Sequence, residues 1–278
     1  MRAKRGFTLV EILIVVVILG LIMAMAAVLL RSVSITQKRS LTNSRMANVE
    51  AAIVQFVMQT KRLPCPADGT QSATAGGAEM YNPAAPGSCT TQQNGVVPWR
   101  TLGLSAADIL DGWDRRLTYR VATGLMASSA MDLSWCDPAG SGPLVTGVCN
   151  STGTCSSSAP ANCSPPTAYL NGKGFQVRNL GAINVMDPAS SPPTGAAYVL
   201  ISHGESGGGA FLDTGVLSTS TTTDGTEEQK NYTTQVLQPY YVDDQSIDVG
   251  GATHFDDVVL RPSVLSVATK AGLGPRSH

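Results

Sequence analysis

The chain has 278 residues, enough for one membrane helix and one globular domain of ordinary size. Its formal net charge is −1 and only 14% of residues are charged, so it lacks the basic footprint of a nucleic-acid-binding protein. Low charge with abundant Gly, Ser, Thr and Pro suits an exported, loop-rich domain better than a cytosolic enzyme.

The N-terminus opens with a short basic stretch, Arg2, Lys4 and Arg5, that runs into Gly6, Phe7, Thr8, Leu9, Val10 and Glu11. From Ile12 to Leu30 there is no charged residue. A helix of ~20 apolar residues crosses a bilayer, and its basic flank stays cytoplasmic, so the rest of the chain is expected on the far side. Glu11 breaks the pattern. A carboxylate inside a membrane helix costs roughly 2–3 kcal/mol or more and calls for a neutralising partner.

The helix is predicted to continue past the membrane. Met46, Val49, Ile53, Phe56 and Val57 recur at helical spacing, with Arg45, Asn48, Glu50 and Gln55 between them. No proline occurs between residue 7 and Leu63, and Pro64 marks the end. A continuous helix over 7–60 is roughly 80 Å long, from its ~1.5 Å rise per residue.

Residues 64–95 read as a loop, with Cys65 and Cys89 placed to staple it. Arg116–Val121 alternates as a strand. Residues 134–168 are rich in Ser, Gly, Pro and Cys and read as a disulfide-held excursion rather than a second core. Phe175–Arg178 is a short strand candidate, Tyr198–Ser202 the strongest one, and Asp257–Arg261 the last. Residues 213–235 read as a polar surface loop, and the tail beyond Pro262 as loose. The expected class is α+β, one long N-terminal helix packed on a small antiparallel sheet.

The six cysteines, Cys65, Cys89, Cys136, Cys149, Cys155 and Cys163, all lie outside the membrane segment. An even number in a translocated domain favours disulfides, and the pairing stays open. Zinc is the poorer reading, because no C-x-x-C pair is present.

Lys4-Arg5-Gly6-Phe7-Thr8-Leu9-Val10-Glu11 resembles the processing site of type IV prepilins and type II secretion pseudopilins. The resemblance implies cleavage between Gly6 and Phe7 by a membrane prepilin peptidase and methylation of the new Phe7 terminus. It also implies that Glu11 meets the terminal ammonium of a neighbouring subunit during assembly. Ala24-Met25-Ala26 imitates a signal-peptidase site, but that reading leaves Glu11 without a role.

The implied organisation is a leader at 1–6, a membrane and assembly half-helix at 7–34, and a periplasmic or extracellular pilin-like domain at 35–278. The implied partners are other pilin or pseudopilin subunits, the peptidase, the inner-membrane assembly platform and the inner membrane itself. A looser resemblance to major pseudopilins covers the globular part: Pro98-Trp99, then Asp111-Gly112-Trp113 leading to Tyr119, then Tyr198–Gly204 with its glycine-rich loop, then Asp256-Asp257-Val258. In that family the glycine-rich loop holds calcium. The resemblance therefore nominates Glu205, Asp213, Asp256 and Asp257 as calcium ligands, calcium being the one cofactor indicated.

Gly204-Glu205-Ser206-Gly207-Gly208 also fits the G-x-S-x-G of serine hydrolases, with His203 and His254 available. That elbow needs a helix directly after the serine, and the glycine run forbids one. No enzyme is expected. The function implied is a structural subunit of a pilus or pseudopilus. The alternative is a minor tip pilin that binds DNA, a surface or a secreted substrate.

Overall fold

A computed structural model describes residues 9–144, 148–149, 155–219, 224–236, 239–247 and 251–278. The Gly6–Phe7 junction lies outside them. Helix α1 runs over Leu9–Thr60, with side chains described from Leu9 to Met25 and again from Val33. Lys61 ends it in the left-handed region (φ 58°), three residues ahead of Pro64.

The two halves of α1 have opposite surroundings. Met46, Val49, Ile53 and Val57 are fully buried, spaced three and four apart on one helical face. Phe56, expected on the same stripe, is half-buried beneath the Arg62 guanidinium. Every large apolar side chain from Leu9 to Met25 is at least half exposed, on all sides of the helix. Among the described residues no helix is long and apolar enough to cross a membrane. Part of the charge-free run to Leu30 lies outside the described side chains.

The main sheet has five antiparallel strands: β1 (Ala67–Asp68), β2 (Gly95–Val96), β4 (Thr118–Val121), β7 (Tyr198–Ser202) and β10 (Val258–Leu260), in that spatial order. β4 and β7 are buried on both faces, as the unbroken apolar run of β7 predicts, and pair with Tyr119 opposite Leu200. Leu117, Tyr119 and Leu200 share one core with the buried stripe of α1. Two smaller sheets flank it. β3 (Arg115–Arg116) pairs with β8 (Phe211–Leu212), and β5 (Gln176–Arg178) sits between β6 (Asn184–Met186) and β9 (Tyr240–Val242). β5 and β9 run parallel, a departure from the all-antiparallel expectation.

Three disulfides form, Cys65–Cys89, Cys136–Cys149 and Cys155–Cys163. The first staples the 64–95 segment. Cys136 and Cys149 are buried within the main core, so the excursion is anchored into the domain rather than appended to it. Helix α2 (Pro166–Leu170) carries Tyr169, whose hydroxyl donates to the Ala130 carbonyl at 2.7 Å.

The C-terminal tail is not loose. Ser263 caps helix α3 (Val264–Lys270), which buries Val264, Val267 and Ala268 and pairs Lys270 with Glu50 of α1 at 2.7 Å. Beyond it, His278 stacks on Trp135 with centroids 6.1 Å apart and donates its backbone N–H to Asp137. A seven-residue helix is too short for its periodicity to stand out from the sequence.

Candidate functional site

Two regions hold the candidate residues, the N-terminal helix and a buried polar cluster beside its middle. Glu11 lies in the first turn of α1, and Gly6 and Phe7 precede the described residues.

The helix is locked to the domain by the turn before β3. Gly112 N–H donates to Thr42 Oγ1 at 2.9 Å, and Arg45 Nη1 donates to the Leu110 and Asp111 carbonyls at 2.9 and 3.0 Å. The Asp111 carboxylate accepts the Trp113 and Arg115 N–H groups and the Ser202 hydroxyl. One side chain thus ties the turn to β7. Lys38 lies 5.9 Å over the Trp113 ring.

Next to this turn, three segments bring their acidic and histidine side chains together. Asp224 and Glu228 come from one, His203 from the end of β7, and His254, Asp256 and Asp257 from the approach to β10. All six are buried. Glu228 accepts from Gly225 N–H (3.1 Å) and Asp256 N–H (2.8 Å) and lies 2.8 Å from His254 Nδ1. Asp256 accepts the Ser206 N–H and hydroxyl, at 2.8 and 3.0 Å. Asn231 donates to Asp257 Oδ2, and the Tyr232 hydroxyl donates to Asp224.

His203 Nε2 is engaged by Thr118 Oγ1, while its Nδ1 stands 3.5 Å from Asp257 Oδ1. At that separation neither atom makes a hydrogen bond. Among the described residues, no lysine or arginine forms an ion pair with Glu228, Asp256 or Asp257.

Burial and the nearby Asp257 charge push the Glu228 carboxyl up to about 7, against the pull of His254 and the Asp256 N–H. Burial likewise raises Asp257, in spite of His203 and Asn231. Burial works against charge on His254, but its bond to Glu228 and the charges of Asp256 and Asp224 outweigh it and move it up.

Ligand atoms of Asp224, Glu228 and His254 lie within 4.8 Å of one another, and so do those of Glu228, Asp256 and Asp257. A cavity of about 180 Å³, lined by Ile35, Arg39, Trp113, Glu205, Ser246 and Asp256, opens beside them.

Of the four carboxylates nominated for calcium, Asp256 and Asp257 enter this cluster, because β10 lies beside β7. Glu205 only borders the cavity at Asp256, and its carbonyl accepts from Arg115. Asp213 sits in the exposed turn after β8, where its carbonyl accepts from the buried Arg116. The nominated set of four therefore does not converge. Ser206 spends its hydroxyl on Asp256 and the His203 carbonyl, and the glycine run leads into β8 rather than a helix, so no hydrolase elbow forms.

Sequence reasoning missed Asp224 and Glu228, which stand in a segment read as solvated loop, and met His254 only as a member of a triad that does not form. No spacing rule connects residues that three separate loops bring together.

The architecture is α+β, with an N-terminal helix, a small antiparallel sheet and disulfides. Residues 1–27 match the prokaryotic N-terminal methylation motif, the signature of type IV pilins and pseudopilins. Comparison with curated proteins and with solved structures gives no match.

Proposed function

We propose that this chain is a structural subunit of a type IV pilus or a type II secretion pseudopilus. In this reading the peptidase removes residues 1–6, Phe7 is methylated, and α1 holds the chain in the inner membrane until assembly. The domain faces the periplasm, and the chain performs no chemistry.

The observation that carries the reading is the pairing of the methylation motif with a bare apolar half-helix. From Ile12 to Met25 the helix carries no charge on any side, and its own domain covers none of those large side chains by more than half. Exposed apolar surface costs about 25 cal/mol per Å², so such a helix demands lipid or the helices of neighbouring subunits. A filament supplies the second cover when the first is withdrawn.

The test is Glu11→Ala. Insertion and leader cleavage should survive, since the basic leader and Gly6 are untouched. Removing one partner of a buried Glu11–Phe7 ammonium pair costs roughly 3–5 kcal/mol, so incorporation into filaments should collapse. Fractionation compares processed, membrane-held protein with protein in sheared filaments. Wild-type incorporation of the variant would refute assembly through Glu11.

A further inference from the structure

We propose that the buried cluster beside α1 is a binding site for a transition-metal dication of the zinc class, with His254 Nδ1, Glu228 and Asp224 as its ligands. The three side chains are buried, and their ligand atoms already lie within 4.8 Å of one another. One imidazole nitrogen with two carboxylates is a donor set that zinc accepts, with a further position left for water. Calcium prefers an all-oxygen shell of six to eight ligands, so the nitrogen donor separates the two ions.

A second feature of the cluster is a buried carboxylate oxygen without a hydrogen-bond donor. On the other side of Glu228, the Asp257 side chain is 1% exposed, yet its Oδ1 has no hydrogen-bond donor. It faces His203 Nδ1, itself without a partner, across 3.5 Å. Glu228, Asp256 and Asp257 also share a small volume with no lysine or arginine paired to them among the described residues. Glu228 and Asp257 have only the imidazoles of His254 and His203 opposite them, and a dication bound to Glu228 would favour the charged carboxylates.

The carboxylates of the cluster are held in place by outer hydrogen bonds. Tyr232 orients Asp224, Asn231 orients Asp257, and the Gly225 and Asp256 N–H groups orient Glu228. Close backbone approach is built in as well: a Cβ on Gly208 would fall on Asp224 Oδ2, and one on Gly225 would lie 2.2 Å from the His254 carbonyl oxygen. On binding, zinc takes the place of the proton held between His254 Nδ1 and Glu228. That proton leaves to solvent, and no electron is transferred.

The full chain, purified in detergent, is stripped with a chelator and titrated separately with zinc and with calcium. The expected result is a single equivalent of zinc bound, protons released on binding, and a higher melting temperature. X-ray absorption at the zinc edge should show imidazole scattering. His254→Ala should weaken zinc binding at least ~10-fold, and Glu205→Gln should leave it unchanged. The proposal is overturned by no zinc uptake at submillimolar metal, by calcium binding as well as zinc, or by a metal shell of oxygen alone. Unchanged zinc affinity in folded His254→Ala would also overturn it. The absorption measurement on the wild-type chain decides the matter if that variant does not fold.

Discussion

Gly112→Ala tests how the helix is held to the domain. A Cβ at Gly112 would lie 2.3 Å from the Lys38 carbonyl oxygen and 2.7 Å from its Cα. Both obstacles are backbone of α1, so no side-chain rotation relieves the clash, and the turn has to lift off the helix. Lifting it breaks the Gly112–Thr42 bond and strains those from Arg45 to the Leu110 and Asp111 carbonyls. Overpacking costs about 1–3 kcal/mol and a lost hydrogen bond about 1 kcal/mol, so a loss of about 2–4 kcal/mol is expected.

The assay is urea unfolding of the full chain in detergent, followed by tryptophan fluorescence, to which Trp113 in the same turn contributes. Gly103 is the internal control. It has φ +71°, and a Cβ there would meet nothing within 4 Å, so alanine at this position brings backbone strain but no clash. Asparagine tolerates that conformation and should recover much of the loss at position 103. It should recover nothing at position 112, where the obstacle is Lys38. A Gly112→Ala variant within ~0.5 kcal/mol of wild type would refute the close-approach argument.

The Cys65–Cys89 bridge closes a loop with a sequence separation of 24, so the double alanine variant should lose about 3 kcal/mol, measured in the same unfolding assay. A loss under ~1 kcal/mol would mean that the 64–95 segment is held by its other contacts alone. Burial pushes the Asp132 carboxyl up, but Lys61 at 2.6 Å and Ser134 outweigh it and leave its pKa below the ordinary value. Its stabilisation is complete above the unfolded value of ~3.9 and is lost as pH falls through the lower folded value. Asp132→Asn should therefore be less stable than wild type at neutral pH and converge with it in acid, and parallel stability curves would refute the pairing.

Much of the fold was legible because it rests on local periodicity. The buried stripe of α1 and the unbroken apolar run of β7 each announce their element, and Pro64 its boundary. What escaped reading depends on distant partners. β1 and β8 are two-residue strands that exist only because β2 and β3 lie alongside them. β9 pairs in parallel with a strand more than sixty residues earlier, which local patterning cannot announce. The candidate site divided in the same way. Glu11 stands out because it interrupts an apolar run, while Glu228 is one acid among many until folding buries it against Asp257. The glycine at position 112 also gained a meaning that composition does not supply: it is where the sheet's turn touches the helix backbone.

The residues of α1 that meet the turn before β3 and the cavity at Asp256 form a single stripe. Ile35 and Arg39 line the cavity at Asp256, Arg39 reaches the Asp256 carbonyl, Lys38 lies over Trp113, Thr42 accepts from Gly112, and Arg45 grips Leu110 and Asp111. Positions 35, 38, 39, 42 and 45 share one helical face by their spacing of three and four. This collar lies between the bare half of α1 and the half sunk in the core. Whatever covers Leu9–Met25, lipid or neighbouring helices, any force on that half reaches the sheet through the collar first. The polar cluster is packed directly behind it, joined through Asp256. The link is a backbone one, Arg39 Nη2 donating to the Asp256 carbonyl at 3.4 Å, so the helix is held to the chain at the cluster and not to its titrating groups.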